Sequence, residues 1–487
     1  MRMKCFKLLV AAVSVTIYTS CSQELEFPDK DMSDSTNEQL LHISGDEYVS
    51  LAMADVGHLS SDEVSDLLDS FLDGFLPANC SSHVVSTKLK QIKNRSWNGD
   101  GMRSRSSETA DSVPFYCFEV SDERRKGYAV VSADGCWPGV IAYVPQGDMD
   151  SLEEYGNARM MMEASELFVL SEVKRIRTLV DSLKDETLEK VARRFPDEDI
   201  TLDNVLRYVT WDKYMDGGRL SRVAVLRSPA YDNPPTEIIE KEGPFISTRW
   251  HQDTPYNVAL PVSYHQSFGF NIKSHNPLGC GVVAAMQVLA YLKPAMVVDG
   301  QTMDWGKLTK NAEITGDLEP EVQRMVAALG KHVYDGTKTV ANVLPDGEYG
   351  PYDDKTIPIV TSSSTKVADI ISYLSGYVKC GTYYERFASD AMLNAIRGKH
   401  VSMMGGTSNR NTNHAWVIDG YAICRKSARE ILRYYDFYLH ANMGFHDGDY
   451  NGYYRVNPDI TISFELPEYD NTVYSRNFWV ISDIRPL

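Results

Sequence analysis

At 487 residues the chain is long enough for two or three domains with substantial cores, and its 43% hydrophobic and 24% charged content excludes a disordered chain. The formal net charge of −18 argues against a general nucleic-acid binder and against a protein that adheres to anionic membrane surfaces. No Walker-type phosphate loop, paired C-x-x-C or H-E-x-x-H motif occurs.

Residues 1–20, "MRMKCFKLLVAAVSVTIYTS", have a basic start, a short apolar core and small residues, the pattern of a secretory signal rather than of a membrane span. The ending "IYTSC" resembles a bacterial lipoprotein signal, which implies a lipidated Cys21 as first mature residue. An ordinary cleaved signal with an incidental cysteine is the alternative. The chain is thus expected to be exported, at the outer membrane or cell surface or secreted, touching membrane only through that anchor. A polar, acidic stretch after Cys21 reads as a tether. Two amphipathic helical patterns follow over 45–75, the second with Ser61 as its expected N-cap. Residues 79–111 are polar and locally basic and read as a connector, so 21–110 form a tether with a helical segment.

"PFYCFEV", "GYAVVSAD" and "GVIAYVP" are β-rich runs separated by turns, and predict a small meander. A long helical pattern extends from Leu152 to about Phe195, and the loop "RSPAYDNPPTE" precedes a change of composition near Gly243. This sets a module at 111–243 and a second at 244–487.

The stretch "HNPLGCGVVAAMQVLAYLKP" (275–294) predicts a helix apolar on nearly every face, hence buried, ending before Pro294. Cys280 stands at its N-terminus, where free N–H groups and the helix dipole favour a thiolate. Gly279 and Gly281 leave room for a substrate carbonyl. A small core cysteine beside a tight turn is the plainer alternative. If Cys21 is lipidated, six further cysteines remain (80, 117, 136, 280, 380 and 424), at spacings that define no disulfide framework. Downstream, "HVSMMGG" predicts a strand ending in a flexible loop at Gly405 and Gly406. "NHAWVIDGYAI" predicts one opening on His414, "RYYDFYLHANMG" one closing on Asn442, and "GYYRV" another. Gln252 lies 28 residues before Cys280.

These motifs, in this order, resemble the streptopain family of papain-like cysteine peptidases: "RWHQDTPYN", "GCGVVAAMQVLAYLKP", "HAWVIDGY" and "ANMGFHDGDYNGYY", covering about 244–455. The run from Pro114 to Asp150 resembles that family's propeptide and its free-standing inhibitor relatives. The resemblance implies an α+β fold, with a papain-like catalytic domain at 244–487 behind a small α+β propeptide-like domain at 111–243. It implies a cysteine endopeptidase made as a zymogen, acting on protein or peptide substrates, needing no cofactor or metal, and held by its own propeptide. Cys280 would be the nucleophile, His414 the base and acid, and Asn442 the holder of the imidazole. Gln252 with the Cys280 N–H would form the oxyanion hole. Gly279, Gly405, Gly406 and Trp416 would contact substrate. His251, His265 and His275 lie near the motifs without an assigned task.

One departure stands out. The family has a tryptophan directly after the asparagine, whereas this chain has Met443, with Phe445 two residues on. A catalytically weak or dead relative, acting as a binding or inhibitor-like lipoprotein, is therefore the second reading. "DGDYNG" (447–452) matches half of a calcium loop but has Pro458 at its twelfth position, so a turn is expected and no metal.

Overall fold

A computed structural model describes residues 40–76, 90–92, 113–121, 125–149, 160–214, 220–223, 236–267, 270–344, 357–407, 413–425, 435–456 and 478–487. The expected signal, Cys21, Cys80 and most of the expected connector lie outside the described residues. The first two helices form at Gly45–Ala52 and Ser61–Phe75. The second is capped by Ser60, one residue before the expected Ser61. The Ser60 hydroxyl accepts the Glu63 N–H at 3.3 Å, and the Glu63 carboxylate accepts the Ser60 N–H at 2.8 Å. This reciprocal box needs Glu or Gln three residues after the cap. Ser61 would find Val64 there. Within the expected connector, Lys90–Ile92 is a strand that pairs with Phe115–Cys117.

The meander forms as Phe115–Ser121, Lys126–Ser132 and Gly139–Val144, all antiparallel. Gly139–Val144 is buried along its whole length, with Val140 and Tyr143 in a core with Phe71 and Phe75 and Ile141, Ala142 and Val144 in a core with Val169 and Val173, and its other edge meets Gly452–Val456. The sheet then continues through Tyr435–Asn442, Asn413–Arg425, Val401–Thr407 and Trp479–Pro486. One sheet therefore spans both predicted modules. Glu237–Glu242 adds to it by pairing with the far half of Asn413–Arg425.

Helix Met160–Arg194 contributes Met160, Met161, Met162, Phe168, Val169 and Val173 to the core that holds Trp416, Leu439 and Met443. Helix Ser61–Phe75 packs aromatic rings elsewhere on the sheet, with Phe75 edge-on to Tyr143 and Tyr453. A further core lies around the cysteine helix, Cys280–Leu292, with Pro320–Gly336 and Val367–Leu374 against it. The cysteine helix ends as expected before Pro294, where Lys293 takes φ 49°. The architecture is mixed α+β.

The expected flexible loop at Gly405 and Gly406 is instead strand. Both are buried in Val401–Thr407, opposite Ala415 and His414. A Cβ at Gly405 would lie 2.5 Å from the Trp479 ring, and one at Gly406 would lie 2.8 Å from the Phe478 ring. Aromatic rings lie over the bare backbone, and that is why glycine stands there.

Candidate active site

Cys280 opens its helix from a strained turn. Gly279 has φ 87°, and a Cβ there would stand 3.0 Å from the Ser363 carbonyl oxygen. The Ser363 hydroxyl donates to the Pro277 carbonyl at 2.6 Å and ties the turn down. Gln252 is brought beside it because its carbonyl accepts the Leu278 N–H at 3.1 Å. Burial pushes the Cys280 thiol above its ordinary range, while backbone hydrogen bonding at Ala415, Gly281 and Cys280 itself pulls it back down. Ala415 directly follows His414, so the histidine strand lies against the sulfur.

His414 is buried, and desolvation pushes its imidazole down to about 4, against a raising contribution from the Met443 carbonyl. That carbonyl lies 2.8 Å from Nε2. The ring stacks with Phe445, at 5.0 Å and 25°, and with Trp416, at 5.8 Å and 21°.

The Asn442 side chain is engaged elsewhere. Its Nδ2 donates to the Thr248 carbonyl at 3.0 Å and to Gln287 Oε1 at 3.2 Å, while Oδ1 accepts from Gln287 Nε2 at 2.8 Å. The expected bond from this amide to the imidazole is not among these contacts. The carbonyl of the next residue takes that position. Met443 is itself held, since its N–H donates to Asn451 Oδ1 at 2.7 Å. Gln287 and Asn451 are thus parts of the site that the motifs left unassigned. Gln287 was visible as the one amide in an apolar helix, whereas Asn451 was hidden in the calcium-like run.

Met443 stands where the family has tryptophan. Its side chain is fully buried in the core with Met404, Trp416 and Leu439. Gly444, at φ 74°, turns the chain so that Phe445 stacks on the ring instead. Gly405, Gly406 and Trp416 are all buried. A Cβ at Gly406 would also lie 3.6 Å from the Met160 sulfur.

A 3-10 turn, His446–Gly448, leads into the calcium-like run. Asp449 accepts from Gln146 Nε2 at 3.3 Å, and Asn451 is committed to Met443. Among the described residues, His251, Glu313 and His446 come together as a group able to hold a metal ion, their ligand atoms all within 4.8 Å. None of the described cysteines (117, 136, 280, 380 and 424) forms a disulfide.

Residues 250–454 match the Peptidase C10 family. No curated protein matches the sequence. Among solved structures, a mutant fragment of Prevotella intermedia prointerpain A is similar, with a TM-score of 0.43 and 16% identity, covering 82% of this chain and 100% of that one. Residues 250–454 form a Peptidase C10 family domain, and the chain is a cysteine-type peptidase.

Proposed function

We propose that the chain is the zymogen of an exported, surface-anchored endopeptidase with a papain-like catalytic domain, in which Cys280 attacks the peptide carbonyl of a protein substrate. The observation that carries this reading is the Cys280 sulfur at the N-terminus of a buried helix, facing the backbone of the residue after His414. His414 takes the thiol proton and returns it to the leaving amine. The Met443 carbonyl orients the ring. Asn442 acts at one remove, fixing through Gln287 and Thr248 the strand end that carries that carbonyl. In this reading the Gln252 side chain and the Cys280 N–H receive the oxyanion.

Latency is supported by what packs against the strands around the histidine. Met160, Met161 and Met162, from the segment before Gly243, share a core with Trp416, Met443 and Phe478. The Ser165 hydroxyl donates to the Arg455 carbonyl at 2.7 Å, which holds that helix against the catalytic sheet. In the uncut chain desolvation pushes His414 down and Cys280 up. An active thiolate–imidazolium pair needs the opposite shifts. Removal of the segment lets water back to the ring and restores them.

Two measurements test this. Iodoacetamide should label Cys280 slowly in the uncut chain and much faster after cleavage, and His414→Ala should remove the acceleration. Casein turnover by the cleaved protein should fall by orders of magnitude in Cys280→Ser, because a serine hydroxyl stays protonated where a helix-terminal thiol ionises. Unchanged turnover in that variant rejects the nucleophile. Full activity in the uncut chain rejects latency.

A further inference from the structure

We propose that His251, Glu313 and His446 form a binding site for a divalent transition ion of the zinc class. Three separate segments supply the ligands: the stretch before Gln252, the loop before helix Pro320–Gly336, and the turn after Phe445. His251 Nε2 lies 3.2 Å from Glu313 Oε1, and His446 Nε2 lies 3.5 Å from the same oxygen. Both separations exceed the ~2.7–2.9 Å of a strong charge-assisted hydrogen bond. They match the spacing of about 3.3 Å between neighbouring ligands in a tetrahedral site with bonds of about 2.0–2.1 Å. The imidazole rings lie 4.6 Å apart at 33°, and the ligand atoms of the three residues all lie within 4.8 Å of one another.

The site is held in place by its surroundings. The Arg249 N–H donates to the Ala312 carbonyl at 2.7 Å, and the Ile314 N–H donates to the Tyr256 hydroxyl at 2.9 Å, so the residues on both sides of Glu313 are fixed. Tyr256 also meets the His251 ring edge-on at 4.6 Å. Side-chain exposure is 3% for His251 and 7% for Glu313 but 64% for His446, so an ion enters past His446 and is held by two buried ligands. Two imidazoles and one carboxylate suit zinc, with a fourth position left to water, and do not suit calcium or magnesium, which take oxygen ligands. The Asp253 N–H reaches His251 Nδ1 at 3.3 Å. Metal at Nε2 places the ring proton on Nδ1, so loading gives up this one long hydrogen bond. A bound ion ties the segment leading to Gln252 to the turn that follows Phe445.

The test uses the full chain as Cys280→Ala, which removes the reactive thiol as a competing ligand, stripped with EDTA and titrated with Co2+ and then Zn2+. One Co2+ per chain is expected, with the visible d–d absorption of a four-coordinate site, displaced by an equivalent of Zn2+. Glu313→Gln and His446→Ala should each weaken binding at least tenfold. Circular dichroism and metal-free melting of His446→Ala, altered at an exposed side chain, keep folding separate from ligand loss. Absence of stoichiometric binding overturns the site, and so does affinity unchanged in either folded variant.

Discussion

The imidazole of His414 is governed by residues that reach it from the backbone and from ring faces. Phe445, stacked on it at 5.0 Å, supplies the shielding that a tryptophan after Asn442 would give, and Met443 is spent on the core. Met443→Trp should therefore insert an indole into a filled core, costing about 1–3 kcal/mol in urea denaturation, with no gain in turnover. Phe445→Ala should wet the ring and move its pKa up from about 4 toward the ordinary histidine range. The pH profile of Cys280 alkylation reads this out, and an unmoved profile would show that Phe445 does not control the ring. The cysteine, histidine and asparagine drew attention in the sequence because each stands in a distinctive string. That the residue after the asparagine would act through its carbonyl was not, since every residue has one.

At the scale of elements, the buried helix Cys280–Leu292 and the strand Tyr435–Asn442 are joined by one amide pair, Gln287 with Asn442. The Thr248 hydroxyl also donates to Gln287 Oε1 at 3.1 Å, so Gln287→Leu would keep the helix apolar but leave the Asn442 amide and that hydroxyl short of partners. Each buried group left unsatisfied costs about 1–3 kcal/mol. Because the same strand end presents the Met443 carbonyl to His414, kcat should fall more than KM rises. Equal changes in both would place Gln287 in substrate binding instead. The helix and its end before Pro294 followed from apolar composition and proline. The paired glycines in Val401–Thr407 were misread as a loop because glycine marks turns in a sequence. Their strand conformation depends on Trp479 and Phe478, more than seventy residues away.

The whole molecule carries a dependence on acidity through His414. Its folded pKa is lowered from 6.5 to about 4, so between those values the unfolded or opened chain binds the proton that the closed chain refuses. Stability thus falls as pH drops through that window, by about 3 kcal/mol if the full shift is realised. The urea midpoint of the Cys280→Ala chain should decrease from pH 6.5 toward pH 4. His414→Gln should flatten that slope, and equal slopes would remove His414 as its source. Cleavage in the wild-type chain should accelerate over the same range. The meander and the long helix were each readable from local patterns. Their fusion into one sheet with the second half was not, because strand pairing between residues 142–143 and 453–454 has no local signature.

That fused sheet is uneven in strength. Lys126–Ser132 is zipped to Phe115–Ser121 through seven registered residue pairs, but Gly139–Val144 meets Gly452–Val456 through only two, Tyr143 with Tyr453 and Ala142 with Tyr454. The seam is a perforation. A pull applied across the sheet should tear it there, with each half leaving as an intact flap. Hydrogen–deuterium exchange would register this as faster exchange at 453–454 than within the hairpin at 116–131. Once torn, Gly452–Val456 is a bare β-edge beside a strip of aromatic side chains. Such an edge accepts any extended chain by main-chain bonding alone, the departed flap included. The part that detaches therefore carries the shape of its own return.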